Sequence, residues 1–218
     1  MKNRKQILCL LALILCMALT ACSMRIRFFP GGMFTEPPPI LGTLEDNIYT
    51  QEFFGLRLEL NDNWTYLSDE ELEKSPAEAA ALAQGGIVYD LTAELPCGDR
   101  YTSGIYCPTV IDDHAFRNNP EEFIDREAET FRKEYEEYIE TEGIREIRSG
   151  RSTVTFLGET VPCVALSYVV RTGQTHYVRV VYRENTFRGQ TYMFYLIAES
   201  YNEDRTLKMI KAIEPLDE

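Results

Sequence analysis

The chain has 218 residues, 44% of them hydrophobic and 26% charged, the composition of a folded domain and not of a disordered chain. Its 22 basic residues stand against 35 acidic ones, and a net charge of −13 argues against nucleic acid as a partner, because such a field repels phosphate. A chain of this size buries a core without needing disulfides or metals to hold it.

Lys2, Arg4 and Lys5 form a basic head, followed by an apolar run over residues 7–19 that closes on Leu19-Thr20-Ala21-Cys22. The run is shorter than the ~20 residues that span a bilayer, so it reads as a secretory signal. Leu-Thr-Ala-Cys resembles the lipobox of bacterial lipoproteins. That resemblance implies a diacylglyceryl group on the Cys22 thiol, cleavage just before it, and an anchor at the extracytoplasmic face of the cell membrane. Residues 1–21 are then the signal, and residues 22–47 a lipidated Cys22 with a flexible tether broken by Pro30-Gly31-Gly32 and Pro37-Pro38-Pro39. Residues 48–218 form a single domain.

In that domain Leu56, Leu58 and Leu60 alternate as a half-buried strand does, Asn61-Asp62-Asn63 turns the chain, and Trp64 starts a short extended piece. Ser68-x-x-Glu71 is a capping box that opens a helix, and Pro76 interrupts it. Residues 87–95 and 101–111 read as two strands around Pro96-Cys97-Gly98-Asp99. Asn119-Pro120-Glu121-Glu122 is a strong helix start, with Phe123, Ile124, Ala128, Phe131, Tyr135, Tyr138 and Ile139 inward and Gly143 as the left-handed stop. Four strands follow from residue 144 to 198, divided at Gly158-Glu159, at Thr172-Gly173-Gln174 and over residues 185–189; turns this short make neighbours antiparallel. Tyr192, Phe194 and Leu196 share one face and Met193, Tyr195 and Ile197 the other, so both faces are covered. Ser200-x-x-Glu203 caps a last helix, which Pro215 stops.

The expected fold is α+β: a three-layer α/β/α sandwich with a central antiparallel sheet. This order, with the block Ile48-Tyr49, Phe54-Gly55-Leu56, Trp64 and Glu70-Glu71-Leu72, resembles the Mog1/PsbP-like superfamily as found in small exported bacterial lipoproteins. The resemblance implies a binding or accessory role and supplies no catalytic residues.

Signatures of zinc peptidases, serine hydrolases, phosphate loops and dinucleotide sites are absent from the sequence, so no enzyme, metal or cofactor is expected. Asp112-Asp113-His114 reads as a solvated acidic turn, and His176 as a strand-end residue. Cys97, Cys107 and Cys163 remain after the signal and the anchor. The first two flank a hairpin turn and are the expected disulfide, which leaves Cys163 free. A three-residue turn at Thr172-Gly173-Gln174 sets Ser167 against Arg179, Val169 against Tyr177 and Cys163 against Arg183, and the next hairpin brings Tyr195 beside Arg179. Arg179, Arg183, Tyr195, Tyr177 and Ser167 are therefore the candidate ligand-binding residues, suited to a carboxylate or phosphate. The competing and favoured reading has Arg179 paired with a Glu of a covering helix. The function expected is a lipid-anchored, extracytoplasmic, non-catalytic module, held to the membrane through Cys22 and binding a protein partner or small anionic ligand. The alternatives are a cell-envelope hydrolase of unrecognised type or a structural accessory subunit of an envelope complex.

Overall fold

A computed structural model describes residues 39–68, 72, 87–97, 101–112 and 115–216, whose strands sort into two antiparallel sheets. The smaller joins β1 (Thr43–Glu45), β2 (Ile48–Gln51), β3 (Leu56–Glu59) and β11 (Ile213–Pro215) in the order β1-β2-β3-β11. The larger joins β4 (Thr65–Tyr66), β5 (Ile87–Cys97), β6 (Tyr101–Asp112), β7 (Arg145–Phe156), β8 (Glu159–Val169), β9 (Thr175–Phe187) and β10 (Gln190–Ser200). Its order is β4-β5-β6-β10-β9-β8-β7. Among the described residues the helices are α1 (Ala115–Asn118), α2 (Pro120–Glu137), α3 (Ile139–Glu142) and α4 (Glu203–Lys211). The fold is thus mixed α+β and antiparallel.

Local chemistry accounts for much of this. The Asn119 side chain accepts from the Glu122 amide, Pro120 takes the first helical position of α2, and Gly143 closes α3 at φ 67°. Three hairpins close through two-residue turns with both φ angles positive: Asp46-Asn47, Leu157-Gly158 and Arg188-Gly189. Such turns carry the twist that antiparallel neighbours need.

The β10 strand is covered on both faces, as its composition requires. On one side α2 lies over the sheet, with Phe123 edge-on to Tyr182 at 5.1 Å and Tyr135 against Tyr168 at 4.9 Å. On the other, Val181, Phe194, Leu196 and Ala198 share a core with Tyr49, Leu56 and Leu58 of the small sheet and with Met209 and Ile210 of α4. The helical layer expected on this second face is, among the described residues, a four-stranded sheet with α4 beside it.

Four local expectations are corrected. The fold does not begin at Ile48: Ile40 is fully buried in the core and β1 precedes Ile48, a three-residue strand too short to show a period. The last helix is capped by Asn202, which accepts from the Arg205 amide, while Ser200 still belongs to β10 and bonds Ser103. Pro215 does not stop that helix; α4 ends at Lys211, and Pro215 lies in edge strand β11 opposite Leu56, where the ladder tolerates a residue without an amide hydrogen. Ile139, expected inward, is exposed, because α2 ends at Glu137 and the chain re-enters helix in a new turn. The expected signal, Cys22, most of the helix expected after Ser68, and Asp113 with His114 lie outside the described residues.

The expected Cys97–Cys107 disulfide is also overturned. Cys97 pairs with Tyr101 at the tip of the β5–β6 hairpin, whereas Cys107 sits opposite Leu91 deep in the sheet. Six residues of strand separate the two positions, roughly 20 Å at ~3.4 Å per residue, against the ~6 Å between Cα atoms that a disulfide allows. Cys107 and Cys163 are both buried and in no disulfide.

Candidate functional site

The face expected to carry an anion site is only partly assembled. The β8–β9 turn starts at Val170, whose amide and carbonyl close it on Gln174 and Gly173, so the ladder sits two residues from the expected register. Ala165 faces Arg179, Ser167 faces Tyr177 and Val169 faces Thr175, and Val164 opposite Val180 takes Cys163 away from Arg183. A slip of two keeps side chains on their face, so Ser167, Tyr177 and Arg179 stay together. Tyr195 does not join them. The Arg188-Gly189 turn pairs Phe187 with Gln190, which sets Ala198 opposite Arg179 and Tyr195 opposite Tyr182 on the other face. There the Tyr195 ring packs against Tyr182 at 4.9 Å.

Both arginines are engaged by the protein. Arg179 is 6% exposed; its Nη2 donates to Glu203 Oε1 in the first turn of α4 and its Nη1 to the Val178 carbonyl at 3.2 Å. This is the pairing with a covering helix that competed with the anion-site reading. Arg183 donates from Nε to the Phe54 carbonyl, joining the large sheet to the small one. Burial pushes its pKa down, and the Glu159 charge works against that shift. Burial likewise pushes the Cys163 thiol up to about 11, with Arg179 pulling the other way, which leaves an inert thiol.

A second polar constellation lies on the α2 face, at the end of the sheet where β9 begins. Buried Glu199 accepts from Tyr168 Oη at 2.6 Å and meets His176 Nδ1 at 3.2 Å. The imidazole stacks on Tyr168, with centroids 5.4 Å apart, and stays 14% exposed at the rim. Tyr135 of α2 packs on Tyr168 from above. Gly104, opposite Glu199, lets Tyr106 fold across the strand: a Cβ there would lie 2.4 Å from Tyr106 Oη. Burial pushes the hydroxyls of Tyr106, Tyr135 and Tyr168 well above the usual range, and the Glu199 charge adds to it, so all three stay protonated. Burial and then the same charge raise the Glu94 carboxyl.

A carboxylate that holds an imidazole through Nδ1 is the orienting half of an acid–base pair. The other half is missing among the described residues: the single hydrogen bond of His176 is to Glu199, and no group of three or more His, Cys, Asp or Glu residues there could hold a metal. The reading of His176 as a partly buried strand-end residue agrees with this geometry, but its partner escaped notice. The available signal was Glu199 itself, an acid at the parity of the buried Met193 and Ile197 and the half-buried Tyr195.

A third cluster is wholly internal. An irregularity between Tyr89 and Leu91 breaks the β5 ladder at Asp90, which is 1% exposed. Its carboxylate accepts from the Gly42 amide at 2.9 Å to each oxygen, from Tyr49 Oη, and from Gln51 Nε2 at 2.5 Å. Gly42 makes this approach possible, since a Cβ there would fall 2.6 Å from the Tyr49 ring and 2.7 Å from the Thr50 carbonyl. Burial first, and Asp90 second, push the Tyr49 hydroxyl well above its usual range, so it remains a donor. This cluster ties residues 40–51 to the large sheet.

No family model and no curated protein matches the chain. Among solved structures, LpqN, involved in cell envelope biogenesis of Mycobacterium tuberculosis, is 14% identical over 72% of this chain and 76% of its own, with a TM-score of 0.39. The protein of unknown function PA94 from Pseudomonas aeruginosa is 14% identical over 72% of this chain and 82% of its own, with a TM-score of 0.25. At such scores neither neighbour bears on fold or function.

Proposed function

We propose that the chain is a lipid-anchored module at the extracytoplasmic face of the cell membrane that binds a protein partner and catalyses no reaction. The observation that carries this is Leu19-Thr20-Ala21-Cys22, placed directly after a basic head and a short apolar run. Among the described residues no helix is long and apolar enough to cross a membrane. A non-catalytic role is supported by how the buried charges are used. Arg179 is engaged by Glu203, Arg183 by a backbone carbonyl, Asp90 by three donors and Glu199 by Tyr168 and His176. The small anionic ligand foreseen at Arg179 loses its main donor to Glu203, which favours a protein partner over a small ligand.

Metabolic labelling with a fatty-acid analogue and detergent-phase partitioning of the wild type and Cys22→Ala test the anchor. The wild type should take label and enter the detergent phase while the variant does neither; equal partitioning would overturn the reading. Chemical crosslinking in native membranes tests the partner, and a chain that crosslinks to nothing would count against it.

A further inference from the structure

The large sheet ends on β7, and no strand among the described residues pairs with its outer edge. The Leu157-Gly158 turn closes on Phe156 opposite Glu159, which makes these two a mutually bonded pair. In an antiparallel ladder such pairs alternate. Phe156, Val154, Ser152, Gly150 and Arg148 therefore bond inward to β8, while Thr155, Thr153, Arg151 and Ser149 turn their amides and carbonyls away from the sheet. Among the described residues α2 and α4 pack on β7, and Arg145, Arg148, Arg151, Thr153 and Thr155 are all exposed.

The edge is basic in an acidic protein. Arg145 and Arg148 have no ion pair among the described residues, and Arg151 reaches Glu121 and, at 3.4 Å, Asp125 of α2. Beside the strand lies an open hollow of about 540 Å³, bounded by Glu121, Arg151, Thr153, Thr160 and Pro162. The ladder is irregular between Arg145 and Arg148, where Glu146 has φ 54°, and regular from Arg148 to Phe156. Arginine and a bulge are devices that keep edges of identical chains apart. Antiparallel pairing of two β7 strands would gather the arginines of both copies along one short ladder. The same charges attract a strand of opposite sign.

We infer that the β7 edge takes an extended acidic segment of another protein as an eighth strand, its main chain on the outward amides of Arg151 and Thr153 and its carboxylates beside Arg145 and Arg148. This rests on the partner-binding reading and names the chemistry of the partner.

The test uses the full chain in non-ionic detergent and a fluorescent peptide of about eight residues alternating Glu with Val. Fluorescence anisotropy should show binding of this peptide, and no binding of its Lys counterpart or of a version methylated on alternate backbone nitrogens. Thr153→Pro removes an outward amide that the fold does not use. It should weaken binding about tenfold without changing the melting temperature. The double variant Arg145→Glu with Arg148→Glu, which leaves the backbone intact, should lose binding to a similar degree. Failure of the Glu peptide to bind, or unchanged affinity in both variants, would overturn the inference. So would a dimer that Thr153→Pro dissolves, because the occupant is then a second copy. A partner crosslinked in membranes equally by wild type and Thr153→Pro would remove the edge while leaving partner binding intact; absence of both peptide binding and any crosslinked partner would remove both.

Discussion

Tyr49→Phe deletes one oxygen from the buried cluster at Asp90 and keeps the ring that packs in the core. The carboxylate retains the Gly42 amide and Gln51 Nε2, and Asp90 is 1% exposed, so solvent is a poor substitute for the lost donor. A hydrogen bond to a charged group contributes about 1.5–3 kcal/mol, so a loss of about 2 kcal/mol is expected. For a domain of this size each kcal/mol moves the melting temperature by about 2–4 °C, which gives a fall of about 4–8 °C. The control is Tyr89→Phe, the same chemical change at a buried hydroxyl that has no hydrogen-bond partner among the described residues. Removing that orphan should leave the midpoint unchanged or raise it. Thermal melts followed by circular dichroism compare the two. Equal shifts in both variants would show that the Asp90 cluster does not hold the N-terminal hairpin to the sheet.

Burial raises the carboxyl of Glu127 on the inner side of α2, with Arg126 opposing, so the folded state holds that proton at a higher pH than the unfolded chain does. The charged form therefore weakens the fold above its folded pKa, and the penalty fades as pH falls through it. Glu127→Gln should gain on the order of 1 kcal/mol at pH 7 and progressively less in acid; a gain independent of pH would refute the assignment. Arg179→Met should change stability by less than about 1 kcal/mol, because Glu203 is 51% exposed and takes up water when its partner goes. A loss of ~3–5 kcal/mol in denaturant titration would show a stranded carboxylate instead. Cys107 and Cys163 should resist alkylation until the protein is denatured, and digestion of unreduced protein should yield no Cys97–Cys107 cross-linked peptide.

What could be read from the sequence was local. Asn119 and Pro120 announce α2 within four residues, and the mixed-face pattern of residues 192–197 requires cover on both sides wherever that cover comes from. Register was harder. Thr172-Gly173-Gln174 looks like a complete turn, yet the chain closes one residue pair earlier, and the two-residue turn at Arg188-Gly189 gives the next ladder an odd offset that sends Tyr195 to the far face. No composition rule distinguishes those offsets. The Glu199 and Asp90 clusters join strands tens of residues apart, so each acid appeared in the sequence as an isolated charge in an apolar run. Their partners become visible only when the strands are laid side by side.

The small sheet has a temporal consequence. Its third strand leaves the ribosome about 160 residues before the strand beside it: Leu56 and Pro215 face each other, and the Leu216 amide bonds the Gly55 carbonyl. Until β11 emerges, one side of β3 stays unpaired and available to mispairing partners. A chain cut after Ala212 keeps every described strand of the large sheet and still lacks the piece that closes the small one.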